Sequence, residues 1–183
     1  PQGIDLMLLK QVKEVERTRL TRYAEQRPSA VYTPVENYPA GRNGVWSIPC
    51  QAAFPSATQN EVSLEDAKEL LKNGCICVSE GANMPSTQAA IDAFVASGIA
   101  YGPAKAANAG GVSTSQLEMS QNASMLQWTF EEVDAKLRRI MNNIYRSASE
   151  TAKEFGEPGN LVLGANIAGF RKVADAMIEQ GVF

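Results

Sequence analysis

Asn60, Asn83 and Asn108 each stand a few residues beyond a short apolar run, at 52–55, 75–79 and 99–101. A side-chain amide donates and accepts at once, so an asparagine can read a carboxamide or ribose hydroxyls without a change of protonation. One asparagine in such a place is ordinary turn chemistry. Three at equivalent ends of consecutive strands favour a ligand crevice, because open α/β sheets bind ligands outside the carboxyl ends of their strands. A second constellation follows the last of them. In Ala104–Asn122 the ionisable groups are Lys105 and Glu118, and Gly110-Gly111 leads into Ser113, Thr114 and Ser115 at what reads as a helix start. Small residues let a ligand approach backbone N–H groups, and a helix start favours an anion. One hydroxyl is expected to cap the helix and another to face a carboxylate. Lys105 suits a phosphate or a substrate carboxylate, or equally a structural ion pair. Trp128 and Met125 read as packing residues.

Absences bound the chemistry. The 183 residues contain no histidine, which removes His-based triads, His metal sites and His general acid–base catalysis; no metal site is expected. Neither a Gly-x-Gly-x-x-Gly following a strand nor a Walker loop occurs. A net charge of −3 argues against a nucleic-acid partner, which requires a concentrated basic surface. No apolar run reaches the length of a membrane span. The three cysteines, Cys50, Cys75 and Cys77, form no paired framework, as suits the reducing cytoplasm. A chain that opens Pro1-Gln2-Gly3, without Met, suggests a fragment.

The elements that must position these residues alternate. Ile4–Gln26 has helical spacing, with Leu8, Leu9, Val12 and Val15 on one side, and Pro28 ends it. Arg27–Pro49 is irregular, punctuated by Pro34, Pro39, Gly41 and Gly44. A strand is expected over Ala52–Pro55. Ser63-Leu64-Glu65-Asp66 then reads as a capping box opening a helix to about Asn73, stopped by Gly74. A strand over Cys75–Ser79, a helix capped by Ser86 and ending near Gly98, and a strand over Ile99–Tyr101 complete a βαβ rhythm that implies a parallel sheet. Three strands make an incomplete doubly wound sheet. Thr129-Phe130-Glu131-Glu132 is a second capping box, opening a helix with Val133, Leu137, Ile140 and Ile144 at core spacing and a stop at Gly156. A last helix runs from Leu161 to about Gln180. Its small residues, Gly164-Ala165-Asn166-Ile167-Ala168-Gly169, imply close packing. The fold class is thus α/β, a partial Rossmann-like (doubly wound) nucleotide-binding domain with a helical C-terminal segment.

Five blocks carry a family resemblance: Ser56-Ala57-Thr58-Gln59-Asn60-Glu61, Glu80-Gly81-Ala82-Asn83-Met84-Pro85-Ser86-Thr87, Lys105-Ala106-Ala107-Asn108-Ala109-Gly110-Gly111-Val112, Leu117-Glu118-Met119-Ser120-Gln121-Asn122 and Gly164-Ala165-Asn166-Ile167-Ala168-Gly169-Phe170. In order and spacing they resemble the C-terminal part of hexameric glutamate dehydrogenase, most closely the NADP-dependent bacterial type, over nearly the whole chain. Pro1–Ile4 and the first helix resemble that family's middle segment.

The resemblance implies an enzyme that converts L-glutamate, water and NADP+ reversibly into 2-oxoglutarate, ammonium and NADPH, with NAD not excluded. It implies cofactor contacts from Thr58, Gln59, Asn60, Asn83 and Asn108, and substrate contacts from Val112 and Ser115, the serine facing the glutamate side-chain carboxylate. Residues 1–160 would be the C-terminal part of the dinucleotide-binding domain with its closing helices. Residues 161–183 would form a terminal helix returning towards an absent substrate domain. The family's catalytic lysine and aspartate have no counterpart here, so no catalytic residue is assigned and the fragment alone is expected to be inactive. A cytoplasmic homo-hexamer serving ammonium assimilation is expected of the parent, with no nucleic-acid or membrane partner. Ser56 stands where many relatives have cysteine, and Gln51 where aspartate is common. The alternatives are a stand-alone binding or interaction module derived from a dehydrogenase half, and another amino-acid dehydrogenase.

Overall fold

The computed structural model describes residues 3–38 and 44–181. Pro1, Gln2, Pro39 and Gly41 of the stretches named above lie outside the described residues. The chain divides into two compact units, 1–40 and 41–183.

In the first unit the expected continuous helix is broken. Helix α1 covers Leu6–Lys10, a π-turn follows over Gln11–Val15, and helix α2 covers Thr21–Gln26. Asp5 caps α1 by accepting from the N–H groups of Met7 and Leu8, both at 3.0 Å. The break has a local cause. Arg17 takes a left-handed φ of 51°, and the Thr18 N–H and hydroxyl both donate to Val12 O, at 3.0 and 3.4 Å. A threonine that bonds the preceding turn in this way competes with helix continuation. Val12 is fully buried, whereas Val15 is 66% exposed and leaves the expected apolar face. The second helix stops at Arg27, which is extended as a residue before proline must be.

The second unit carries the sheet. Strands β1 (Ala52–Ala53), β2 (Cys77–Ser79) and β3 (Ala100–Gly102) lie in the order β1-β2-β3 and are all parallel. β1 and β2 are shorter than the apolar runs that announced them, and β3 lies one residue further on. Pro55 has no N–H to give a ladder, and Cys75 and Ile76 are tied to Gln51 and Leu70 outside the named strands. Helix α3 (Leu64–Lys72) joins β1 to β2, and α4 (Gln88–Ser97) joins β2 to β3. The Ser63–Asp66 capping box opens α3 as expected, while Thr87, not Ser86, caps α4. Ser86 instead points inward and is buried. Gly98 closes α4 with φ 73°, a left-handed position that glycine takes without steric cost. Ala53, Val62, Ala67, Leu70, Val78 and Phe94 form the core between the sheet and this helix pair.

Beyond β3 the unit is helical: α5 (Ala104–Ala107), α6 (Ala109–Ser124), α7 (Phe130–Glu154) and α8 (Leu161–Gln180). The Thr129–Glu132 box opens α7, and Asn160 caps α8 by accepting from Leu163 N–H at 3.1 Å. The close packing expected of the small residues rests on Gly164. A Cβ there would lie 1.9 Å from Ala148 O on α7. Gly169 meets nothing within 4 Å, so the small-residue run is not uniformly a contact. Met125 also departs from expectation. It is 94% exposed at the left-handed end of α6 rather than packed.

Candidate functional site

The loops leaving the three strands are stitched together at the sheet's carboxyl edge. Gly81 N–H and Ala82 N–H both donate to Pro55 O, at 2.8 and 3.0 Å, and Asn60 N–H donates to Met84 O at 2.9 Å. These bonds join the loop after β1 to the loop after β2. Asn108 Nδ2 donates to Ala82 O at 3.0 Å and joins the segment after β3 to both. The approach is close. A Cβ on Gly81 would fall 2.4 Å from Ser56 Oγ. Asn60 and Met84 hold left-handed φ values of 56° and 51°, a conformation asparagine tolerates and methionine adopts only at a cost. Strain of this kind persists only where surrounding bonds fix it.

Thr58, Gln59 and Asn60 are exposed on the first loop and Asn83 is exposed on the second. Asn108 is half-buried at the junction of α5 and α6. With its amide nitrogen held by Ala82 O, its Oδ1 has no hydrogen-bond partner among the described residues. Four and seven residues further on, Val112 and Ser115 fall on the same face of α6 as Asn108. Val112 is 62% exposed, and Ser115 is exposed with its Oγ donating weakly to Gly111 O at 3.4 Å.

The helix entry differs from expectation. Gly110 and Gly111 are inside the first turn of α6, which starts at Ala109 directly after α5. None of the three hydroxyl residues is therefore a cap. Thr114 Oγ1 donates back to Gly110 O at 2.9 Å and Ser115 Oγ to Gly111 O, the mid-helix habit of these side chains. Ser113 is buried. Asn108 occupies the cap position without a side-chain cap bond. Gly110 faces α7, where a Cβ would lie at ordinary contact distance, 3.8 Å from Met141 Sδ and 3.9 Å from Leu137 Cδ1, while Gly111 meets nothing within 4 Å.

Lys105 makes neither an anion contact nor an ion pair among the described residues. Its Nζ donates to Asn166 Oδ1 on α8 at 2.5 Å. It borders a cleft of ≈ 620 Å³ between α5, α7 and α8, which includes Lys172 but none of the three asparagines. The chemistry-bearing residues sit on the open sheet edge, not in that cleft. Trp128 is half-buried, with Lys136 Nζ 4.6 Å above its ring.

One acid escaped the sequence reading. Glu80, immediately after β2, is 2% exposed, and its Oε2 accepts from Ala104 N–H at 2.8 Å. Glu80 Oε1, Ser86 Oγ and Tyr101 OH are all buried without a hydrogen-bond partner of good geometry. Burial first, then the neighbouring Glu80 carboxylate, pushes the Tyr101 hydroxyl far above the usual phenol range, with Ser86 opposing. The available signal was the position itself, an acid at the carboxyl end of an apolar strand, which also suits an ordinary solvated turn.

A parallel βαβ sheet whose three post-strand loops converge on one edge, followed by a helical segment, defines a partial Rossmann-like nucleotide-binding architecture. The chain belongs to the glutamate/leucine/phenylalanine/valine dehydrogenase family, which it matches over residues 1–181. It is 66% identical to the NADP-specific glutamate dehydrogenase of Helicobacter pylori (strain ATCC 700392 / 26695) over 180 residues, covering 98% of this chain and 40% of that protein. Against the Giardia intestinalis enzyme of the same description it is 50% identical, covering 93% and 37%. The crystal structure of Plasmodium falciparum glutamate dehydrogenase superposes on all of this chain and 38% of its own, with a TM-score of 0.89 at 49% identity. The chain thus spans about 40% of the length of the curated relatives it matches.

Proposed function

We propose that the chain forms the C-terminal part of an NADP-dependent glutamate dehydrogenase. The observation that carries this is the convergence of the Asn60, Asn83 and Asn108 loops at one edge, in a chain 66% identical to a relative named for that activity. The overall reaction converts L-glutamate, NADP+ and water to 2-oxoglutarate, ammonium, NADPH and a proton. Bound NADP would supply the hydride acceptor for oxidation at the glutamate Cα.

The chain's own residues position and exclude. Asn108 is clamped at its nitrogen and retains a free Oδ1, which fits the amide of a carboxamide or a ribose hydroxyl. Asn83, and Thr58, Gln59 and Asn60 of the neighbouring loop, line the same edge without a charge that would compete with a phosphate. Ser115 and Val112, one to two helical turns further on, offer a hydroxyl and an apolar surface to the glutamate side chain. Cofactor and substrate meet along one face of α6. Proton transfer is assigned to groups outside this chain, since the catalytic lysine and aspartate of the family have no counterpart in these residues.

On this reading residues 1–160 belong to the cofactor-binding domain and residues 161–183 return to the substrate domain. So do a cytoplasmic homo-hexamer and a role in ammonium assimilation. No helix among the described residues is long and apolar enough to cross a membrane. The test is NADPH formation by the full-length protein carrying this chain. Glutamate should support turnover and leucine or phenylalanine should not, while the 183-residue chain alone should give none. Preferential oxidation of an apolar amino acid would replace glutamate as the substrate.

A further inference from the structure

Helix α5 begins without a side chain able to cap it, because Pro103 occupies its cap position. Ala104, its first residue, is 8% exposed, and its N–H would otherwise be a buried donor without a partner, which is costly. The Glu80 carboxylate supplies that partner from 24 residues away. Glu80 is itself locked. Its backbone N–H donates to Gly102 O at 3.0 Å, extending the β2–β3 ladder, and its side chain shares a buried site with Tyr101 and Ser86. The same side chain therefore ties the root of the second loop to the start of α5. Four residues along, Asn108 returns to that loop through Ala82 O.

We propose that Glu80 is a positioning residue for the cofactor side of the crevice. Its buried carboxylate holds α5 against the loop after β2, so that Asn83 and Asn108 are presented together. The role in turnover rests on the function proposed above; the clamp itself does not. A negative acceptor at a helix start is favoured by the helix's positive end, and a donor and acceptor both shielded from water hold a fixed distance. The arrangement suits a pair of amides that must address one ligand.

Three variants separate positioning from general support of the fold. Glu80→Gln keeps an acceptor for Ala104 N–H. Glu80→Ala removes it. Ala104→Pro removes the donor but leaves the carboxylate, at a first helical position where proline is tolerated. Pro103 already has the extended φ −67°, ψ 145° that a following proline requires.

In the 183-residue chain, amide and side-chain NMR resonances of Ala104 and Asn108 report the clamp directly. Glu80→Ala and Ala104→Pro should both move the Asn108 side-chain resonances, leave those of α8 in place, and open Ala104 (where its N–H survives) to exchange. Glu80→Gln should keep both near wild type. In the full-length protein, Glu80→Ala should raise the NADP KM about tenfold, with a smaller change in kcat, and Glu80→Gln should restore the KM to within about threefold. If Glu80→Ala does not fold, Ala104→Pro carries the same comparison. Unchanged Asn108 resonances in both clamp-breaking variants would overturn the clamp. Equal losses in kcat and in the KM of both substrates would overturn the positioning role. Absence of wild-type turnover would overturn the proposed function alone, and the NMR comparison would still decide the clamp.

Discussion

The carboxyl edge of the sheet and the α7–α8 hairpin are held by opposite means. Along the edge, short irregular segments are fixed by directional bonds: Pro55 O takes two N–H groups, Ala82 O takes the Asn108 amide, and Glu80 caps a helix from another element. The hairpin depends on shape. Gly164 lies so near Ala148 O that no side chain fits, and one polar link across it, Arg171 to Glu154 at 2.6 Å, is solvent-exposed and so contributes little. Bonded edges hold particular atoms in place, as a ligand site demands; packed helices hold surfaces, as a scaffold demands. The division of labour should therefore appear in how each region fails.

The largest effect is expected in the hairpin. Gly164→Ala places a methyl against backbone that cannot swing away, and should cost about 3 kcal/mol, or roughly 10 °C in Tm, measured by thermal unfolding. On the edge, Gly81→Ala meets the tip of the Ser56 side chain, 2.4 Å from Oγ and 3.2 Å from Cβ. It should cost about 1–2 kcal/mol, most of it recovered when Ser56→Ala is added, and a double-mutant cycle by denaturant unfolding reads that coupling. A hairpin clash has no such single-atom rescue. Smaller still are the caps: Ser63→Ala at α3 and Thr129→Ala at α7 should each cost about 1 kcal/mol, which denaturant midpoints resolve.

At neutral pH the smallest effect comes from Tyr101. Its folded-state ionisation lies above the unfolded value because of burial and the Glu80 carboxylate. The stability tied to its protonated form is thus fully present below about pH 10 and is lost as pH rises from there towards the folded value. An ultraviolet tyrosinate titration should find Tyr101 still protonated at pH values where a free phenol ionises. Denaturant midpoints should hold up to about pH 10 and fall above it.

The two regions also differed in how openly the sequence declared them. The long helices were legible because their ends carry their own signals: Ser63–Asp66 and Thr129–Glu132 as capping boxes, and Gly74 and Gly156 as left-handed stops with φ 86° and 81°. The three asparagines were legible because strand order implies a carboxyl edge. What escaped depended on partners distant in sequence. Gly110 looks like a loop residue until Leu137 and Met141 are brought alongside, and Glu80 looks like a turn acid until Ala104 is found beside it. The break at Arg17 was hidden differently, since Leu8, Leu9, Val12 and Val15 keep a helical period right up to it. Thr18 bonds back to Val12 through both its N–H and its hydroxyl, which apolar periodicity does not report.

The central claim is that cofactor and substrate meet along one face of α6, the cofactor at Asn108 and the glutamate side chain at Ser115. The most direct measurement is a paired kinetic comparison of Asn108→Ala and Ser115→Ala in the full-length protein. Asn108→Ala should raise the NADP KM about tenfold and leave the glutamate KM nearly unchanged, and Ser115→Ala should do the reverse. Both variants raising the same KM, or neither raising any, would contradict it.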